Sequence, residues 1–122
     1  MPTLIACLSS GKGSWSEVSK IIAQGQWNNV FLITNSFGKE KFQPSANTEL
    51  MVVNDSLEIP ELVKEIKKHL NGKISDFEVA LNLISGAGKE HMAVLEAVLE
   101  LGLNFRLVSL KNGNLEVLGL ER

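Results

Sequence analysis

The feature that most constrains this chain is a repeated order of pattern. A short apolar run closes in small polar residues, an amphipathic stretch follows, and the sequence recurs along 122 residues. Thr3 to Leu8 is the first run, ended by Ser9 and Ser10, and Val30 to Thr34 is the second, ended by Asn35 and Ser36. Neither alternates apolar with polar residues. Each therefore reads as a strand covered on both faces, as in the middle of a parallel sheet. Leu50 to Val53 makes a third strand, Phe77 to Ile84 a fourth and Phe105 to Val108 a fifth.

Helix signals fill most of the intervals. Ser14-Trp15-Ser16-Glu17 has the capping-box pattern, Trp15, Val18, Ile21 and Ile22 follow at helical spacing, and Gly25 is a natural stop. Leu62, Val63, Ile66 and Leu70 form a second apolar stripe, with Lys64, Glu65, Lys67 and Lys68 as its solvated face. Lys89 to Leu101 reads as a third helix with Met92, Leu95 and Leu99 facing inward, stopped by Gly102. The mixed stretch from Phe37 to Thr48, carrying Lys39 and Lys41, reads as a lid or a connector. Asn112-Gly113 is a two-residue turn signal before Leu115 to Leu118, so the chain should end in an antiparallel hairpin.

Strands alternating with helices require right-handed crossovers and a sheet covered on both sides. The expected fold is α/β: a Rossmann-like doubly wound, mainly parallel sheet in the order 3-2-1-4-5, with a C-terminal β-hairpin and one domain over residues 1–122. A composition of 44% hydrophobic and 21% charged residues fits a folded chain rather than a disordered one. The net charge of −2 lacks the basic excess that binding to long nucleic acid requires, so a nucleotide-like partner should be small. Cys7 is the single cysteine and lies in an apolar run, which argues for core packing in a reducing, cytoplasmic setting. No stretch approaches the roughly 20 apolar residues of a membrane span, and no basic leader precedes the first run.

In an open doubly wound sheet, ligands bind beyond the carboxyl ends of the strands, where strand order reverses. That point falls between the first and fourth strands. The loops leaving them are Ser9-Ser10-Gly11-Lys12-Gly13 and Ser85-Gly86-Ala87-Gly88-Lys89, and both lead into helices. Glycines allow close backbone approach, and the first amides of a helix attract anions. Ser9, Ser10 and Ser85 add hydroxyls, Lys12 and Lys89 add positive charge, and Gly11, Gly86, Ala87 and Gly88 shape the cradle. Asn35 and Ser36 would line the same crevice.

Neither loop completes a standard motif. Leu83 stands where a phosphate-binding NTPase loop has its first glycine and Glu90 replaces its Ser/Thr, while Ser16 and His91 occupy the last glycine of the dinucleotide fingerprint. Singly, each loop is also ordinary turn chemistry, so the case rests on topology placing both at one crevice. Lys89 in a first helical turn opposes the helix dipole unless an anion lies nearby. His69 and His91 fall on different helices with no carboxylate pattern around them, so no metal and no cofactor are expected; His91 is a secondary candidate beside the crevice. Trp15 reads as a helix anchor that also offers a ring for base stacking.

With these loops placed, the chain resembles the CRISPR-associated Rossmann-fold (CARF) domain, the sensor module of type III CRISPR systems. The resemblance covers the order of elements and is sharpest over Asn82-Leu83-Ile84-Ser85-Gly86-Ala87-Gly88-Lys89-Glu90-His91-Met92-Ala93. The family's segment after its fourth strand has an Asp or Asn, a Ser/Thr two residues later and a Lys/Arg four after that. Ser85 and Lys89 match the last two positions; Leu83 occupies the first, with Asn82 one residue early, and Ser9 and Ser10 match the hydroxyl-bearing loop after strand one. The resemblance implies a stand-alone homodimer whose crevices merge across a two-fold axis to bind cyclic oligoadenylate in antiviral defence. It also implies an alternative, a metal-independent ring nuclease in which Ser10 and Lys89 act on the ring. A third reading is an interaction subunit that takes no ligand.

Overall fold

The computed structural model describes residues 2–8, 14–45, 47–54 and 56–119. Six strands and four helices follow in the order β1 (Thr3–Leu8), α1 (Trp15–Gln24), β2 (Asn29–Thr34), α2 (Ser36–Lys41), β3 (Thr48–Val52), α3 (Ile59–Leu70), β4 (Glu78–Asn82), α4 (Gly88–Glu100), β5 (Asn104–Lys111) and β6 (Asn114–Val117). They build an α/β structure around one sheet of order β3-β2-β1-β4-β5-β6. All pairings are parallel except β5 with β6, so the expected doubly wound sheet and terminal hairpin are both present.

Burial explains why β1 is central. Every residue of Thr3–Leu8 is buried, which suits a strand with neighbours on both edges and helices above and below. On one face, Ile5, Cys7, Phe31, Ile33, Val79 and Leu81 pack under α3 and α4. On the other, Leu4, Ala6, Leu8, Val30 and Leu32 pack under α1, which contributes Val18 and Ile21. At about 1.5–3 kcal/mol for each fully buried aliphatic side chain, these two layers are the main drive to fold. Asn112 and Gly113 both adopt positive φ, 54° and 78°, as the tight turn between β5 and β6 demands. The Gln24 amide clasps that hairpin to the end of α1, donating to the Gly113 carbonyl and accepting from the Leu115 amide.

Three local expectations change. Met92 and Leu99 are 59% exposed, and α4 instead buries Ala93, Val94, Ala97 and Val98. From Met92 to Leu99 every position but Glu96 is apolar, so periodicity allows either stripe, and the stripe that is buried carries the smaller side chains. The stretch from Phe37 to Thr48 contains a short helix, α2, followed by Phe42, whose ring meets Trp15 edge-on at 5.8 Å. Ser14 is the N-cap of α1, but its side chain makes no capping bond. No described helix is long and apolar enough to cross a membrane.

Candidate functional site

Three carboxyl-terminal strand ends lie side by side. Leu8 of β1 pairs with Thr34 of β2, and Ala6 of β1 pairs with Asn82 of β4, so β1 runs beyond its partner β4. With strands about 4.8 Å apart, the ends of β2 and β4 flank that of β1 across roughly 10 Å. The structure thus brings the segment Ser85–Lys89 and the pair Asn35 and Ser36 to one edge of the sheet, on opposite sides of β1. Ser9, Ser10, Gly11, Lys12 and Gly13 lie outside the described residues.

The segment after β4 is tightly determined. Asn82 is buried, donates from Nδ2 to the Val108 carbonyl at 2.8 Å and accepts the Ile84 amide at 3.3 Å. Its side chain therefore ties β4 to β5 and shapes the start of the loop rather than facing the crevice. Ser85 is also buried, Gly86 is half-buried, Ala87 and Gly88 are exposed, and Lys89 is half-buried in the first turn of α4. Gly86 has φ +95°, in the left-handed region that a side chain strains. A Cβ there would stand 3.0 Å from Cys7 Cβ and 3.2 Å from His91 Nε2, so the loop folds back over the end of β1.

Two side chains of α4 reach back to this loop. His91 Nε2 lies 2.8 Å from the Ser85 carbonyl. A carbonyl only accepts, so that ring nitrogen carries the proton. Glu90 Oε1 accepts the Ala87 amide at 2.8 Å. Ala87, the N-cap of α4, has no side-chain acceptor to offer the first amides of the helix. The positive end of a helix of 13 residues thus lies at this edge, offset in part by the Glu90 carboxylate.

Cys7 lies beneath the loop, 1% exposed, and burial followed by the nearby Glu90 charge pushes its thiol up to about 12. Such a thiol is a packing group and not a nucleophile. Across β1 the chemistry differs. Asn35 accepts the Gly38 amide at 3.0 Å and so caps α2, Ser36 is exposed, and Thr34 Oγ1 donates to the Leu8 carbonyl at 2.9 Å. Trp15 packs on Phe37 at 6.0 Å as well as on Phe42, an anchoring role for its ring.

Sequence reasoning left the Cys7–Gly86–His91 contact unread, since it joins three elements and no local spacing announces it. It also passed over a cavity of about 520 Å³ at the opposite, N-terminal end of the strands, lined by Trp27, Glu78, Ala80, Arg106 and Val108 among others. None of the candidate site residues chosen from the sequence lines it. Among the described residues no group of three His, Cys, Asp or Glu side chains is placed to hold a metal ion. Compared with known proteins, the chain matches no protein-family model and no curated protein.

Proposed function

We propose that this chain is a nucleotide second-messenger binding domain, which takes a cyclic oligoadenylate or a related small nucleotide at the C-terminal edge of β1 and β4. The observation that carries the reading is the Ser85–Lys89 segment: at the switch point of the sheet, an N-terminal helix end lies beside a lysine and a glycine-shaped loop. Helix amides and Lys89 supply what phosphate oxygens need, and Asn35 and Ser36 border the same edge from the side of β2.

The ligand is narrowed by the CARF resemblance rather than by geometry. A ring of repeated nucleotides has rotational symmetry, and a homodimer with merged crevices would present two equivalent cradles to it. On this reading the protein acts in type III CRISPR antiviral signalling, with Ser9, Ser10, Gly11 and Lys12 as the second loop of the cradle.

Incubation with cyclic tetra-adenylate and cyclic hexa-adenylate in EDTA, followed by separation of products and a parallel binding titration, tests this. Tight binding with intact rings supports a sensor. Linear products ending in a 2′,3′-cyclic phosphate would replace it with the ring nuclease, in which Ser10 and Lys89 stabilise attack of a ribose 2′-hydroxyl on the adjoining phosphate. No binding of either ring, by protein that is folded, leaves the interaction subunit.

A further inference from the structure

The loop after β4 is held from one side by α4 and from below by β1. Long side chains on a helix lean toward its N-terminus, which is how His91, near the start of α4, reaches the Ser85 carbonyl at 2.8 Å. One residue earlier, Glu90 takes the Ala87 amide at 2.8 Å. The peptide groups on either side of Gly86 are thus each bonded to α4, and Gly86 itself is in the left-handed conformation at φ +95°. Beneath it lies Cys7, close enough that a Cβ on Gly86 would stand 3.0 Å from Cys7 Cβ.

We propose that His91 is a positioning residue that latches the Ser85–Gly88 loop shut over Cys7 and so sets the direction of the Gly86 amide. In a trans peptide the carbonyl and the next N–H point opposite ways. The Ser85 carbonyl turned toward His91 therefore turns the Gly86 N–H away from it. Two consequences follow. The Ser85 oxygen, which would repel an anion, is occupied, and the loop is organised before any ligand arrives, lowering the ordering cost of binding. The second consequence rests on the reading above that this edge takes an anionic nucleotide; the latch itself does not.

Cys7 reports on the latch, because it is the only cysteine and is covered by the loop. The test measures the rate at which Ellman's reagent labels the native protein at low urea concentrations, for wild type, His91→Ala and His91→Gln, together with affinity for cyclic tetra-adenylate and cyclic hexa-adenylate. Glutamine keeps a side-chain N–H donor. The latch predicts labelling at least tenfold faster in His91→Ala, a rate insensitive to low urea because only the loop opens, and a rate near wild type in His91→Gln. Affinity should fall in His91→Ala and recover in His91→Gln. Equal labelling in His91→Ala and wild type overturns the proposal, as does faster labelling that rises with urea in step with global unfolding. If wild type binds neither ring, the nucleotide reading fails while the labelling rates still decide the latch.

Discussion

The two helix starts that flank β1 use the same architecture differently. After β2, Asn35 closes on itself: its side chain caps α2 through the Gly38 amide, and the helix is a six-residue piece packed on the aromatic ring of Trp15. After β4, the N-cap is Ala87, which offers the following amides no side-chain acceptor, and the loop is held by residues that reach back from the first turn of α4. One start satisfies its own donors. The other keeps its loop in shape through Glu90 and His91, with no capping side chain at the N-cap. An anion gains more at the start without a capping side chain, since a capped start has already met part of the demand that a phosphate would fill.

The largest effect expected from this asymmetry comes from the thiol under the β4 loop. Folding raises Cys7 from its ordinary 9.0 to about 12, so the native state holds this proton more tightly than the unfolded chain does. The resulting stability is fully present below pH 9 and is lost as pH rises toward 12, on the order of 4 kcal/mol across the whole window. Urea unfolding should show this loss in wild type, and a shallower decline above about pH 9 in Cys7→Ala. Equal slopes would mean that Cys7 is not sealed by the loop.

Alanine at Gly86, in the β4 loop, and at Gly38, inside α2, sharpens the contrast. Gly86→Ala forces a side chain into the left-handed region against Cys7 and His91, and should cost about 2–3 kcal/mol by denaturant titration. Gly38→Ala would drive a Cβ into the hydroxyl of the buried, β-branched Thr34, so that side chain must move and give up its bond to the Leu8 carbonyl, and the gain of about 1 kcal/mol in helix propensity offsets only part of that cost. Its net cost should be about 2–3 kcal/mol, similar to that of Gly86→Ala but caused by crowding without backbone strain. Lys89→Ala should weaken nucleotide binding by about 10- to 100-fold, the range for a charged hydrogen bond to phosphate, with little change in stability. Smallest is Asn35→Ala, which removes the α2 cap and should cost about 1 kcal/mol in unfolding while changing affinity less than Lys89→Ala does.

Much of the fold was legible from residues alone. The unbroken apolar runs at Thr3–Leu8 and around Val30 read as buried parallel strands because only a doubly covered strand tolerates them, and Asn112-Gly113 read as a hairpin because few pairs adopt two positive φ values. What escaped was of two kinds. In α4 the apolar residues nearly encircle the helix, so periodicity could not choose between Met92 with Leu99 and the smaller stripe of Ala93 and Ala97. In α2, six residues make too few turns for any period to register. Of the candidate site, the position of the Ser85–Lys89 segment beside β1 was legible. Its support from Cys7 and His91 was not, because that contact is made by tertiary packing between β1 and α4.

On the proposed reading, the edge beside β1 and β4 takes an anionic nucleotide through the start of α4 and Lys89. The most direct measurement is a thermal-unfolding series of wild type and Lys89→Ala against cyclic and linear oligoadenylates. At a ligand concentration 100 times its dissociation constant, wild type should gain about 2.7 kcal/mol, and Lys89→Ala at the same concentration should gain only about 0.4–1.4 kcal/mol. A wild-type protein whose unfolding temperature no nucleotide moves, or a Lys89→Ala variant stabilised as much as wild type, would contradict the account.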